Sequence, residues 1–103
     1  MENITIDDII AKAKEYNPAS DSEKIRAAYE MAEKAHAGQK RDSGEPYINH
    51  PLQVAWILAS MEIDDTTIIA GLLHDVVEDT TVSAEEIEEK FGHDAMAVSY
   101  THL

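Results

Sequence analysis

Residues 64–80 read DDTTIIAGLLHDVVEDT, and this stretch decides the fold. Asp64 and Asp65 are residues that can cap a helix, and the apolar residues that follow occupy most sides of a helical projection. A strand is disfavoured because the run is long, lies among helix formers and begins with a carboxylate cap. Apolar residues on all sides are typical of a central, buried helix. The predicted fold class is therefore all-α.

The pattern on both sides of this stretch is also helical. Outside the helices, residues 39–49 contain Gly and Pro and are predicted to form a loop. Helical spacing and capping signals predict a first helix over Thr5–Tyr16, a second from a Ser20/Glu23 capping box to about Ala37, a third starting at His50-Pro51, a fourth starting at Asp64 or Asp65, a fifth from Ser83 to Gly92, and the start of a sixth after His93.

Composition restricts the possible functions. The chain has 103 residues, no Cys and a formal net charge of −13, so disulfides, thiolate zinc sites and cysteine nucleophiles are excluded. Residues 42–103 hold 13 of the 21 acidic residues but only one of the 8 basic residues. Direct binding to nucleic acid is disfavoured because it depends on Lys and Arg.

No stretch reaches the ~20 apolar residues of a membrane helix, and no signal peptide is recognisable. A cytoplasmic location without a membrane partner is expected.

Four ionisable residues lie on the predicted central helix: His74, Asp75, Glu78 and Asp79. Residues three and four apart share a helix face, and the three carboxylates lie toward the C-terminal end, where the helix dipole disfavours negative charge. Buried charge needs a partner or a metal. His50, at the start of the preceding helix, is the candidate ligand from another element. Imidazoles and carboxylates without thiolates suit Mn, Fe, Ni or Zn and do not select among them.

Two blocks of sequence carry a family resemblance. His74-Asp75-Val76-Val77-Glu78-Asp79-Thr80 resembles the signature of the HD-superfamily hydrolase domain of the Rel/Spo alarmone enzymes. Residues 35–51, AHAGQKRDSGEPYINHP, resemble the preceding block of the same domain. The similarity extends from about Asn17 to Ala97. It divides the chain into an N-terminal helix over 1–16, the N-terminal part of a helical HD-domain bundle over 17–97, and a divergent end over 98–103.

The resemblance implies a reaction and a set of site residues. The reaction is hydrolysis of (p)ppGpp to GDP or GTP and pyrophosphate, in the bacterial stringent response. The implied site residues are His50, His74, Asp75 and one further Asp as ligands of Mn²⁺, Glu78 and Asp79 as the pair that orients and activates water, and Arg41 and Ser43, beside the basic Lys40, as contacts to the guanine nucleotide.

The chain also departs from the family pattern. The fourth metal ligand is expected downstream of Leu103, and Val98–Leu103 does not follow the family pattern. Asp42 replaces a basic residue common after the matching arginine. The 103 residues are therefore expected to be a truncated bundle that is inactive or nearly inactive alone. In the parent protein, a synthetase domain and regulatory domains are expected to follow.

Two alternative functions stay open at this point. One is an HD phosphohydrolase for another nucleotide, which residues 39–51 argue against. The other is a non-catalytic HD domain that regulates an attached (p)ppGpp synthetase. The intact His74-Asp75 and Glu78-Asp79 pairs favour hydrolysis over this second alternative.

The remaining histidines and aromatic residues are expected to have structural roles. His36, at the end of the second helix, is expected to support the loop that follows. His93, after Gly92, is expected to be exposed. Tyr47 and Trp56 are expected to contribute loop and core packing rather than a stacking platform for a base.

Overall fold

The computed structural model describes residues 4–40, 44, 46–79 and 83–101, with the backbone alone described for residues 75, 77–79 and 98–101. The described residues form helices, and outside the helices they contain one isolated bridge between Lys40 and Pro46. This confirms the all-α prediction. The helices are α1 (Ile6–Tyr16), α2 (Ser22–Ala35), α3 (Asn49–Ser60), α4 (Asp65–Asp79), α5 (Ala84–Phe91) and α6 (His93–Thr101).

Side-chain caps fix the start of several helices. Thr5 forms a capping box with Asp8 at α1, and the Ser83 side chain accepts a hydrogen bond from the Glu86 amide at α5. Both residues satisfy amide groups that have no partner within their own helix. The sequence therefore located these two helix starts correctly.

The predicted capping box at the start of α2 is wrong. Asp21, not Ser20, is the N-cap, and its side chain accepts from the Lys24 amide. Ser20 is buried and donates through Oγ to the Asp65 carboxylate at 2.7 Å, while the Asp21 amide donates to the other Asp65 oxygen at 2.7 Å. A tertiary contact has replaced the local cap, and it ties the turn between α1 and α2 to the first residue of α4.

The start of α3 also differs slightly from the prediction. The helix begins at Asn49, one residue before His50, so Pro51 occupies its third position instead of its first. The missing N–H of Pro51 still costs nothing, because the first four amide groups of a helix have no partner within it.

Helix α4 lies at the centre of the molecule, packed against α2, α3 and α6. This confirms the prediction of a central, buried helix. Its buried apolar side chains form a core with α1, α2, α3, α5 and α6. None of the helices in the described part of the chain is long and apolar enough to span a membrane. The residues that α4 contributes to the core are Ile68, Ile69, Leu72, Leu73 and Val76.

The exposed His93, at the start of α6, pairs with Glu88 of α5, with Nδ1 2.7 Å from Oε2. The hydrogen bond to Glu88 and the charge of Glu88 raise the pKa of His93 above its ordinary value of 6.5. A raised histidine pKa stabilises the fold fully below pH 6.5, and this contribution is lost as the pH rises through the pKa of the folded state.

We expect Glu88→Gln to lower the pKa of His93, because the carboxylate that favours the imidazolium is removed. A histidine NMR titration measures this directly. Glu88→Gln should also lower the melting temperature at pH 5.5 more than at pH 8. Glu89→Gln removes the same charge from the neighbouring exposed residue and is the control. An unchanged His93 pKa in Glu88→Gln would contradict the pairing.

Candidate metal centre

Two histidines from different helices meet at the candidate site. His50 lies in the first turn of α3, and His74 lies in the third turn of α4. Their ring centres are 5.7 Å apart, with an angle of 61° between the ring planes. The two residues are 24 positions apart in the chain, so the packing of α3 on α4 brings them together. The structure therefore places two sequence-predicted ligands side by side.

The hydrogen bond of His74 defines which ring nitrogen carries its proton. Nδ1 lies 2.7 Å from the backbone oxygen of Gly71, within the same helix. A carbonyl oxygen can only accept, so Nδ1 carries the proton and Nε2 carries the lone pair. Metal-binding histidines typically donate their second nitrogen to a carbonyl or carboxylate in this way. His74 is also 9% exposed, so its surroundings hold the ring in place.

Gly71 allows α3 and α4 to approach each other closely. A Cβ atom at this position would lie 2.7 Å from Leu58 Cδ1 and 3.3 Å from Val54 Cγ1, both on α3. The same residue supplies the carbonyl that orients His74. Gly71 is therefore a residue of the site that the sequence analysis missed. A glycine in the middle of a strongly helical apolar run is the signal that identifies such a position, because it costs helix stability without an evident local reason.

We expect Gly71→Val to destabilise the fold by about 1–3 kcal/mol, because the added methyl groups collide with α3. Gly71→Ala is the graded control: its gain in helix propensity of about 1 kcal/mol offsets the displacement of the end of the Leu58 side chain. Urea denaturation followed by circular dichroism measures both. Equal stability of Gly71→Val and the wild type would show that the α3–α4 contact is loose.

The predicted carboxylates follow His74 on the same helix. Asp75, Glu78 and Asp79 all lie within α4, with Glu78 and Asp79 three and four residues after Asp75. Their side chains lie outside the described part of the structure. The last turn of α4 contains no basic residue. Among the side chains that are described, no group of three or more His, Asp or Glu residues is placed to hold a metal ion. The roles of these carboxylates remain predictions.

A short loop leads from α2 to α3 and ends beside His50. The Tyr47 amide donates to the Gln39 carbonyl at 3.0 Å, which closes the loop. His36 is buried, donates through Nδ1 to Gln39 Oε1 at 3.1 Å, and stacks on Tyr47 at 4.6 Å between ring centres. The predictions that His36 supports this loop and that Tyr47 packs within it are confirmed. Lys40 is exposed within the loop, whereas Arg41 and Ser43 lie outside the described residues.

The histidine pair fits a transition-metal ion. Imidazole nitrogens bind such metals at about 2 Å, so rings as close as those of His50 and His74 can share one ion. The proton on Nδ1 of His74 leaves Nε2 in the form that metals require. The donors are nitrogen, with carboxylates next in the sequence, which suits Mn, Fe, Ni or Zn. The fold and the site together define a helical domain in which two histidines from different helices lie side by side.

Comparison with known proteins identifies the class. A family model described as HD domain matches residues 28–98, and the chain belongs to the HD-domain family. This confirms the family resemblance found in the sequence. Hydrolases with this domain are metal-dependent. The matched segment includes His50, His74 and the whole of α4.

Curated relatives and a solved structure narrow the comparison to the Rel/Spo group. The chain is 51% identical over 77 residues to the bifunctional (p)ppGpp synthase/hydrolase SpoT of Escherichia coli, covering 75% of this chain and 11% of that protein. It is 47% identical over 92 residues to a guanosine-3′,5′-bis(diphosphate) 3′-pyrophosphohydrolase of Aquifex aeolicus, covering 89% of this chain and 13% of the relative. A GTP pyrophosphokinase of Myxococcus xanthus is 49% identical over 78 residues, which are 76% of this chain and 10% of the relative.

The solved structure is described as a metazoan orthologue of SpoT that hydrolyses ppGpp. It matches with a TM-score of 0.73 and 35% sequence identity, over 80% of this chain and 48% of the other. The chain thus spans about a tenth of the length of the curated relatives and about half of the solved chain.

Proposed function

We propose that this chain is part of a metal-dependent hydrolase domain that converts (p)ppGpp to GDP or GTP and pyrophosphate. The observation that carries the proposal is the meeting of His50 and His74, with the proton of His74 fixed on Nδ1 by Gly71. Relatives that are named as (p)ppGpp hydrolases support the choice of substrate. The acidic pair Glu78-Asp79 follows one turn later on the same helix.

In this proposal, His50, His74 and Asp75 hold the metal, together with one Asp from outside this chain. The metal is Mn²⁺, as the family resemblance implies. A bound divalent ion lowers the pKa of water and stabilises the charge that develops on a phosphoryl oxygen. The chain would then hold the two imidazoles so that each presents a neutral ring nitrogen to the metal. The Gly71 carbonyl does this for His74 through the hydrogen bond to Nδ1.

Glu78 and Asp79 would orient the attacking water and accept its proton. Their place on α4, one turn beyond the metal-binding pair, puts carboxylates on the helix that carries His74. A carboxylate within hydrogen-bond reach of water can orient it and accept its proton. As the water oxygen bonds to phosphorus, its proton would pass to the carboxylate. The bond between that phosphorus and the ribose 3′ oxygen would break, the 3′ oxygen would take up a proton to become a hydroxyl group, and pyrophosphate would be released.

The loop between α2 and α3 would contact the nucleotide. The exposed Lys40 supplies a positive charge for a polyphosphate. Arg41 supplies a planar cation that suits a phosphate or a guanine ring, and Ser43 supplies a hydroxyl group. In the parent protein we place synthetase and regulatory domains after this region, and we retain a cytoplasmic location for the parent as a prediction.

A hybrid protein tests the proposed activity. Residues 28–98 of this chain would replace the equivalent segment of the E. coli bifunctional synthase/hydrolase, which is 51% identical over 77 residues. We expect the hybrid to release pyrophosphate from ppGpp with Mn²⁺ and to leave dGTP intact. Retained synthase activity shows that the hybrid is folded.

Two outcomes in a hybrid that retains synthase activity would exclude the proposal. A hybrid that synthesises (p)ppGpp but does not hydrolyse it would favour a non-catalytic regulatory domain. Faster hydrolysis of another nucleotide than of ppGpp would favour a different phosphohydrolase.

The isolated 103-residue chain should release little or no pyrophosphate from ppGpp. The reason is that one metal ligand and part of the nucleotide pocket are expected outside it. The measurement is a pyrophosphate assay with Mn²⁺, with the hybrid protein as the positive control. Appreciable Mn²⁺-dependent release by the isolated chain would show that the site is complete without further residues.

A further inference from the structure

His36 is a buried polar residue outside the set of predicted metal ligands. It lies at the C-terminal cap of α2 and is 3% exposed. Its Nδ1 lies 3.1 Å from Gln39 Oε1, and its ring stacks on that of Tyr47 with an angle of 32° between the planes. The Tyr47 amide donates to the Gln39 carbonyl and so closes the loop between α2 and α3. The His36 side chain therefore contacts both ends of this loop.

The second ring nitrogen of His36 has no evident structural purpose. Nε2 is buried and has no hydrogen-bond partner within the described part of the chain. An amide oxygen can only accept, so Nδ1 carries the proton and Nε2 is a buried acceptor without a donor. Such an atom destabilises the fold. A phenylalanine would fill similar space and keep a ring against Tyr47 without this cost. Buried polar atoms without a hydrogen-bond partner are found preferentially at functional sites.

A continuous series of contacts leads from His36 to the candidate metal centre. The Tyr47 ring meets the His50 ring edge-on at 6.1 Å, and the His50 ring meets that of His74 at 5.7 Å. Backbone hydrogen bonds join the same residues. The Tyr47 carbonyl accepts from the His50 amide at 3.0 Å, and the Tyr47 amide donates to the Gln39 carbonyl. Tyr47 therefore packs directly against the His50 ring.

We propose that His36 is a positioning residue for His50. Its hydrogen bond to Gln39 fixes the angle of the imidazole ring, and the stacked ring fixes Tyr47, which packs against His50. Because Nε2 is enclosed, His36 acts through these neighbours and does not contact substrate or metal. The inference rests on the proposed function only where it treats His50 as a metal ligand.

Gln39 allows a test that leaves the core untouched, because its side chain is exposed. Gln39→Leu removes the acceptor of the His36 hydrogen bond, whereas Gln39→Glu keeps an acceptor oxygen in the same place. His36→Phe is a third variant, which keeps the ring against Tyr47 but removes the hydrogen bond. Ser20→Ala is the control for general destabilisation. It removes the hydrogen bond of another buried polar residue, to Asp65 at the start of α4.

The first measurement uses the metal-free 103-residue chain. The nuclear Overhauser effect between the ring protons of His50 and His74 reports their separation. We expect it to weaken in Gln39→Leu and in His36→Phe, and to keep its wild-type strength in Gln39→Glu and Ser20→Ala. Unchanged intensity in Gln39→Leu and His36→Phe would overturn the inference, whether or not the chain binds metal.

The second measurement is the affinity for Mn²⁺, followed by paramagnetic broadening of the His50 and His74 signals. Substitution of residues that orient metal ligands typically costs 10–100-fold in affinity. We expect a loss of about 10-fold in Gln39→Leu and His36→Phe, with Gln39→Glu and Ser20→Ala within about 2-fold of wild type. His36→Phe should nevertheless melt no lower than the wild type, because the unpaired nitrogen is gone.

The two measurements separate the positioning role from the proposed function. Equal Mn²⁺ affinity in all variants would overturn the positioning role while leaving the metal site intact. If the wild-type chain does not broaden His50 and His74 with Mn²⁺, the proposed metal site is wrong, and the metal-free measurement alone decides the role of His36.

Discussion

His74→Ala is expected to reduce ppGpp hydrolysis by the hybrid protein about 1,000-fold or more. A bound metal ion contributes several kcal/mol of transition-state stabilisation, and each 1.36 kcal/mol corresponds to a factor of ten in rate. His74 is a proposed ligand whose ring is held by a hydrogen bond to the Gly71 carbonyl and by burial. Steady-state pyrophosphate release with Mn²⁺ is the measurement.

The control for His74→Ala is His93→Ala, which makes the same substitution at an exposed residue that pairs with Glu88 of α5. It should keep hydrolysis within about 2-fold of the unsubstituted hybrid, as expected of a change at an exposed residue outside the predicted site. The synthase activity should be similar in both variants. A His74→Ala hybrid that still hydrolyses ppGpp at a tenth of the original rate or faster would show that His74 is not a metal ligand.

The helices could be predicted from the sequence because their signals are local. Apolar residues at helical spacing marked α4 as the central helix, and capping residues marked the starts of α1 and α5. The Ser20/Glu23 spacing failed for a physical reason: the hydroxyl of Ser20 hydrogen-bonds to Asp65, 45 residues away, and Asp21 takes over the cap. A capping motif in the sequence does not show whether its side chain has a stronger tertiary partner.

The arrangement of the candidate site could be predicted less completely from the spacing of residues alone. The stripe of ionisable residues on α4 follows from helical geometry, and His50 could be named as the candidate ligand from the preceding helix, but spacing does not show how close the two rings lie. The observed 5.7 Å between their rings results from the close α3–α4 contact at Gly71. Similarly, the place of Tyr47 between His36 and His50 depends on how the loop folds back onto α3. Such contacts are long-range packing, which a single sequence does not encode in any local pattern.

The central position of α4 gives the second large expected effect. Leu72 is fully buried in this helix, at 0% exposure, and belongs to the core that joins α4 to its neighbours. Leu72→Ala should destabilise the fold by about 2–5 kcal/mol, through lost burial and the cavity that remains. Domains of this size have total stabilities of about 5–15 kcal/mol, so a third or more of the stability can be lost. The melting temperature should fall by about 10 °C or more.

Ile57→Ala provides the matched control, because Ile57 is a large apolar residue of α3 that is 54% exposed. Its truncation leaves no closed cavity, and the stability should change by less than about 0.5 kcal/mol. Thermal and urea denaturation of the 103-residue chain measure both variants. If Leu72→Ala and Ile57→Ala melted at the same temperature, α4 would not be the centre of the core. The close α3–α4 packing that brings His50 to His74 would then lose its physical basis, because that packing depends on the burial of α4.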